Sequence, residues 1–358
     1  MAFQQKLLEW FNKYQRPLPW RKHYKPYDVW VSEIMLQQTQ METVLPYFER
    51  WMKAFPTLKS LAESDEKKVL KHWEGLGYYS RARNIHGSAK KIVEHHGGNF
   101  PEDFESILSL KGIGRYTAGA IASIAFNQEK PIVDGNVLRV LSRIYAIKKP
   151  IDVEKNKVLF WDLQEKLIPK GKARYFNQAL MELGALICTA QNPSCLLCPV
   201  YAFCKATKGN NAENYPFRLH RKKIVKVHAS ALVLESKGKY LVRLRPLGKI
   251  MGGLWEFPEW KLSKNKPLLP NAIKKKTEKL AAQEFSTNTG PIHALETIKR
   301  NYTHFNESLS IFHADCEANL IHPRTDWKHR WISKKDFEKY PFSSAHAKIA
   351  DLVIINRL

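Results

Sequence analysis

Cys188 to Cys204 reads CTAQNPSCLLCPVYAFC. Four of the chain's five cysteines fall in these 17 residues, spaced C-x6-C-x2-C-x5-C. In a protein kept in a reducing compartment, such a cluster points to metal ahead of disulfides. Structural zinc sites usually pair their ligands as two short knuckles with a longer stretch between them. Four thiolates with unequal loops suit wrapping one cubane [4Fe–4S] cluster, with Cys188, Cys195, Cys198 and Cys204 as ligands. The bland alternative is four buried free thiols. The fifth cysteine, Cys316, stands alone and reads as a small strand residue.

Upstream, Leu110 to Gly119 reads LKGIGRYTAG. Gly112 and Gly114 permit a sharp turn, and the small-residue run AGAIASIAF after them reads as a tightly packed helix. The pattern L-x-G-I-G fits a helix-hairpin-helix turn whose N–H groups grip one phosphate without reading sequence. A plain connection between helices would look the same locally. Tyr116, one residue into that helix, is the unexpected feature.

Two carboxylates stand out. Asp134, in PIVDGNVLRV, lies between an apolar segment and a new helix, beside Gly135 and Asn136. It reads as an N-cap, and also as a carboxylate kept ionised at a helix start to face a developing cation. Glu33, in WVSEIMLQQTQ, is surrounded by Val31, Ile34, Met35 and Leu36, ahead of the amides Gln37, Gln38 and Gln40. On a buried side its pKa would rise into a general acid's range, and on a solvated side it would be an ordinary helix residue. An acid for a leaving base and a carboxylate beside an oxocarbenium-like sugar together suit glycosidic chemistry.

Helical periodicity runs through the first part: LLEWFNKY, DVWVSEIMLQQT, METVLPYFERWMKAF, LKSLAESDEKKVLKHWEGL, ARNIHGSAKKIVEHH, FESILSL, NVLRVLSRIYAI and KVLFWDLQEKLI. Breaks carry Pro or Gly, as at Pro56, Pro131 and Pro150. The pattern predicts an all-α domain over residues 1–216, with the cysteine loop at 188–204. Residues 217–224 read as a linker. Beyond it VHASALVLES and KYLVRLRP read as strands joined at KGK, SLSIFHADCEA and HRWIS add strands, and NAIKKKTEKLAAQEF reads as a helix. Residues 225–358 should form an α+β domain.

The formal net charge is +24. Residues 1–216 carry 31 Lys and Arg against 21 Asp and Glu, and residues 217–358 carry 27 against 13, so both halves are basic. A polyanion partner follows, since each neutralised phosphate releases counterions. No apolar run is long enough to span a bilayer, so no membrane partner is expected. The start MAFQQKLLEWFNKYQ mixes charges and amides with apolar residues and reads as an amphipathic helix, not a signal peptide. A cytoplasmic, nucleoid-associated monomer is expected.

The cysteine spacing is similar to that of the endonuclease III superfamily of DNA glycosylases. With LPWR, SEIMLQQTQ, GLGYYSRARN, KGIGRYTAGAI, VDGNV and MELGALIC, residues 1 to about 216 resemble the adenine DNA glycosylase (MutY) family within it. The resemblance implies a structural cluster whose loop usually meets DNA phosphates through Lys or Arg. Here that loop, TAQNPS, has no basic residue. It implies that Glu33 protonates adenine at N7 and then handles water, and that Asp134 stabilises the sugar cation. Tyr116 would support the Asp134 side, and Arg21 would approach the flipped adenine. Leu36, Gln38 and Tyr78 would stand at the gap near the opposing base, Tyr78 as a wedge. Gln37 and Asn136 belong to the same motifs. Strand-cutting relatives place a lysine where this chain has Tyr116, and a phenol cannot form an imine with C1′. The family therefore implies adenine excision from duplexes pairing it with 8-oxoguanine or guanine, leaving an abasic site.

From about residue 225 the chain resembles that family's C-terminal domain, related to the Nudix fold, most clearly at GGLWEFP. The resemblance assigns 8-oxoguanine recognition to Tyr302, Thr303 and His304. Gly253 and Glu259 match the start of a Nudix box, but the lysines and prolines that follow oppose a divalent-cation site, so no pyrophosphatase activity is expected. Three rivals remain in view: a glycosylase/lyase for oxidised pyrimidines, a non-catalytic damage binder, and an active Nudix hydrolase. Tyr116, the two carboxylates and the missing acids argue against them in turn.

Overall fold

Capping side chains and left-handed residues mark several helix boundaries in the first part of the chain. A computed structural model describes residues 2–209, 211–220, 223–285, 290–302, 304–325 and 327–355, with only the backbone of Tyr302. The chain divides into two units, residues 1–64 with 83–221, and residues 65–82 with 222–358.

The first unit is helical: α1 (Ala2–Tyr14), α2 (Pro26–Leu36), α3 (Met41–Ala54) and α4 (Leu58–Ala62). The stretch 58–76, expected as one helix, is broken. Thr57 and Ser60 form a capping box at α4, and Asp65 accepts the Lys67 N–H to start α5 (Glu66–His72), which falls in the second unit. There follow α6 (Ser80–His96), α7 (Phe104–Leu108), α8 (Arg115–Ile124), α9 (Gly135–Tyr145), α10 (Glu154–Leu167), α11 (Ala173–Leu186) and α12 (Lys205–Lys208). Periodicity alone did not pick out α11. Helix α9 stops at Ala146, which is left-handed with φ 51°.

Helix α2 is buried all round, from Val29 to Met35, as befits a helix apolar on every side. Pro26 opens it, and it ends at Leu36, three residues short of the expected Thr39, because Gln38 turns left-handed at φ 59°. A second core joins Leu7 and Phe11 of α1 to Val137, Val140 and Leu141 of α9, Phe160 of α10, and Phe176, Leu180 and Leu183 of α11.

The second unit is built on a seven-stranded mixed sheet: β1 (Val225–Ser236), β2 (Lys239–Leu244), β3 (Trp255–Glu256), β4 (Glu259–Lys264), β5 (His293–Tyr302), β6 (Phe305–Asp315) and β7 (His329–Ser333). The order is β3-β2-β1-β6-β5, with β4 also on β1 and β7 on β2. Lys237 and Gly238 both have positive φ, which is the two-residue hairpin turn that KGK suggested. Strands β1 and β6 pair in parallel, Val225 opposite Phe305. Ala229, Ala231 and Val233 face α14 (Ser344–Ile354), while Leu232 and Leu234 face α13 (Pro270–Phe285). With both faces covered, β1 reads as a continuous apolar run.

Residues 65–82 group with this unit for a visible reason. Tyr79 Oη donates to the Phe342 carbonyl at 2.8 Å, and the Phe342 N–H donates to Glu74 at 3.0 Å. Among the described residues no helix is long and apolar enough to cross a membrane. Phe285, fully buried between α13 and the sheet, should cost about 3–5 kcal/mol when changed to Ala, seen as a lower urea midpoint for the second unit.

Candidate active site

Asp134 caps α9. Its Oδ1 accepts the Val137 N–H at 2.7 Å, and its Oδ2 accepts from Asn136 Nδ2 at 2.9 Å. The cap expected from the sequence is present, and it leaves the carboxylate at the start of the helix. Burial pushes its pKa up, while the bonds from Val137 and Asn136 act against burial by favouring the anion.

The cap is tied to the cysteine loop by two arginines one helical turn apart, neither of which sequence reasoning singled out. Arg139 donates to Asn136 Oδ1, the Gly184 carbonyl and the Cys188 carbonyl, each at 2.7 Å. Arg143, 1 % exposed, donates to the carbonyls of Thr189, Ala190, Ala212 and Tyr215 and lies 3.2 Å from Cys188 Sγ. The four cysteines border one cavity with Val140, Leu183 and Val200. Burial and the neighbouring thiols push Cys198 up to about 12. Thiolates so placed need positive charge among them, as the iron of a [4Fe–4S] cluster provides, so the donor set fits the cluster.

Glu33 is 5 % exposed on the buried α2. It accepts a hydrogen bond from Tyr116 Oη at 2.8 Å, and that oxygen also lies 3.4 Å from Met181 Sδ. Burial raises Glu33 to about 7, the Tyr116 bond opposes the rise, and the Asp134 charge adds to it. Glu33, Tyr116, Asp134, Asn136, Arg21 and Leu36 together line one cleft of about 600 Å³, the scale of a small-molecule site. Its remaining polar wall was missed in the sequence, although Glu182 is the one acid in the helix sequence ARYFNQALMELGAL. Glu182 accepts from Arg16 at 2.8 and 3.1 Å and from Arg21 at 2.9 Å, while Arg21 also donates to Gln178 at 2.8 Å. Burial would raise Glu182, but the arginine bonds prevail and hold it at about 2.

The other expected residues lie elsewhere. Gln37 caps the end of α2 and donates to Thr117 at 3.2 Å, and Gln38 is exposed in its left-handed turn. Gly112 must be glycine: its φ is 82°, and a Cβ would lie 2.7 Å from Asn84 Cβ. Gly114 needs no glycine for internal reasons, with φ −99° and nothing within 4 Å of a Cβ. It starts α8 without a side-chain cap, and that leaves the first-turn N–H groups to an outside acceptor. Tyr78 belongs to the second unit, left-handed at φ 47° and 38 % exposed, with Arg81 5.5 Å from its ring. His304 is exposed between β5 and β6, 4.2 Å from the Phe305 ring, while Thr303 and the Tyr302 side chain lie outside the described residues.

Glu259, the Nudix-box acid, is wholly engaged. It meets His346 Nε2 and Arg300 at 2.9 Å, and these two donors, working against burial, hold it well below the usual carboxylate range. His346 Nδ1 accepts the Phe257 N–H, so its proton sits on Nε2 and is donated to Glu259. This gives the FSSAHAKI segment a structural role.

Comparison with known proteins adds family identity to the geometry. Residues 31–166 match the HhH-GPD superfamily of base excision DNA repair proteins, 188–204 the iron–sulfur binding domain of endonuclease III, and 229–352 the NUDIX domain. The chain is 34% identical to the adenine DNA glycosylase of Rattus norvegicus, over 97% of this chain and 77% of that protein. It is 33% identical to that of Homo sapiens, over 97% and 73%. For the adenine DNA glycosylase of Buchnera aphidicola subsp. Schizaphis graminum the identity is 39%, over 74% and 79%. A thermostable thymine-DNA glycosylase structure matches with TM-score 0.53 and 27% identity, over 58% of this chain and 95% of that one. The cysteine match bears out the cofactor: the protein carries a [4Fe–4S] cluster. Replacing Arg143 with Leu should strip the loop of its carbonyl anchors, with iron per chain and visible absorbance falling together after gel filtration.

Proposed function

We propose, on the premise that the chain belongs to the adenine DNA glycosylases of base-excision repair, that it removes adenine paired with 8-oxoguanine or guanine, through Glu33 and Asp134. The protein acts on DNA and hydrolyses N-glycosyl bonds. The observation that carries the assignment of roles is the pairing, in one cleft, of a buried carboxyl at about 7 with a carboxylate bonded at a helix cap. With its pKa raised to about 7, Glu33 can hold a proton near neutral pH and give it to N7 of adenine as the bond from C1′ to the base breaks. The bonding electrons leave with the base. Asp134, whose bonds from Val137 and Asn136 work against the upward pull of burial, faces the cationic sugar. Water then adds to C1′, and ionised Glu33 accepts its proton. Tyr116 orients Glu33 and offers no amine, so the backbone stays intact.

The second unit supplies recognition of the opposing base in this reading. Supporting it is His304, an exposed imidazole against Phe305 at the β5–β6 connection. In this reading the enzyme works as a monomer on nucleoid DNA.

Duplexes with adenine opposite 8-oxoguanine should break only after hot alkali, and thymine glycol duplexes not at all. Alkali-independent cleavage would overturn the reading. Glu33→Gln and Asp134→Asn should each slow excision by about 10²–10⁴-fold, measured in single turnover, with duplex binding kept. Because the acid form of Glu33 is needed, the rate should fall as pH rises through about 7. The Tyr116 bond favours the Glu33 anion, so Tyr116→Phe should raise its pKa and move that limb to higher pH. His304→Ala should reduce the preference for 8-oxoguanine over guanine opposite adenine, with the guanine rate little changed.

A further inference from the structure

Asp134 is delivered by a stretch with no regular structure of its own. Residues 127–134 run from the end of α8 to the start of α9 as neither helix nor strand. Something else must fix the backbone there, because an extended segment with no ladder bonds has no intrinsic rigidity.

Two glycines bracket it. On α8, a Cβ at Gly119 would lie 2.3 Å from the Pro131 carbonyl oxygen. On α11, a Cβ at Gly184 would lie 2.6 Å from Asn136 Cβ and 3.2 Å from its Cα. Pro131 and Asn136 stand on either side of Asp134 in the chain. Both helices therefore touch the backbone around Asp134 with only hydrogen between. Glycine weakens a helix relative to alanine, so these positions oppose local helix propensity. Gly87, in α6, has nothing within 4 Å of a Cβ and marks the contrast.

The segment is also held lengthwise. Gln164 of α10, fully buried, accepts the Ile132 N–H at 2.6 Å. Its amide donates to Asn177 Oδ1 at 2.6 Å, and Asn177 donates to the Lys130 carbonyl at 2.9 Å. Gly119 lies one turn from Tyr116 on α8, and Gly184 lies near Met181 and Glu182 on α11. The helices that form the slot also carry other walls of the cleft.

We propose that Gly119 and Gly184 form a slot, with Gln164 as its clasp, that sets the position of Asp134 relative to Glu33 and Tyr116. These are positioning residues, acting through the backbone of 130–136, and the proposal rests on Asp134 being the reacting carboxylate. A methyl at Gly119 meets a backbone carbonyl, which cannot swing aside as a side chain would, so the segment or α8 must move.

The test uses the full-length, cluster-loaded protein. Gly119→Ala, Gly184→Ala and Gln164→Leu are compared with Gly87→Ala and Asp134→Asn. Three quantities are read: the single-turnover rate of adenine excision, affinity for a duplex carrying 2′-fluoro-2′-deoxyadenosine, which resists hydrolysis, and iron per chain. The expected result is a rate loss of about 10²-fold in the slot variants, as for a misplacement of about 1 Å. Affinity should stay within about twofold and iron should be unchanged, the mark of an interaction needed only in the transition state. Gly87→Ala should match the wild type. Wild-type rates in Gly119→Ala and Gln164→Leu, with Asp134→Asn inactive, would overturn the slot. So would rate losses matched by equal losses of affinity and iron. If Gly119→Ala loses its cluster, Gln164→Leu decides by the same criteria. An active Asp134→Asn would instead remove the reading on which the proposal stands.

Discussion

The hydrogen bond from the Val137 N–H to Asp134 is the constraint around which the first unit is arranged. It starts α9, and α9 then presents Arg139 and Arg143 to the cysteine loop. A carboxylate in the cleft, a helix start and a cluster loop are thus linked through one continuous set of polar contacts. Buried networks of this kind are favourable when each member finds its partner, and Asn136 completes this one by accepting from Arg139 while donating to Asp134. The cluster loop is therefore part of how the cleft is built, even though its chemistry takes no part in the hydrolysis derived above.

Environment, more than residue type, separates the buried carboxyls. Glu33 and Glu182 line the same cleft, yet Glu33 is raised to about 7 and Glu182 is held at about 2. Glu182 receives bonds from two guanidinium groups, whereas Glu33 receives one from a phenol. A neutral donor does not repay burial of a charge, and two cations do. One acid is left ready to give up a proton and the other is left as a fixed anchor. The second unit repeats the anchor solution at Glu259, which takes hydrogen bonds from Arg300 and His346 and so holds strands and a helix together.

Much of this could be read along the chain. The cysteine spacing, the glycine turn and Asp134 ahead of NVLRV are local signals, because cluster ligation, a hairpin and a cap each depend on near neighbours in sequence. The KGK hairpin and the strands beside it were legible for the same reason. What escaped was non-local. Glu182 and Gln178 matter because α11 packs beside the segment that carries Arg16 and Arg21, more than 150 residues earlier. The break between α4 and α5 depended on which of two competing local preferences won, and the Asp65 cap prevailed over apolar periodicity. Residues 65–82 fall with the second unit through bonds to Glu74 and from Tyr79 that span more than 260 residues.

The sequence by itself determined the class of both parts, the metal-binding loop and the two candidate carboxylates, because periodicity, spacing and capping are properties of short stretches. Only the tertiary structure decided their states. Whether Glu33 is an acid or a surface charge depends on α2 being buried on every side. How the backbone flanking Asp134 is packed depends on how closely α8 approaches Pro131 and α11 approaches Asn136, with only hydrogens at Gly119 and Gly184 between, which no pattern along the chain reveals. Solvation and close packing arise between segments far apart in sequence, and a carboxyl's pKa and position follow from both.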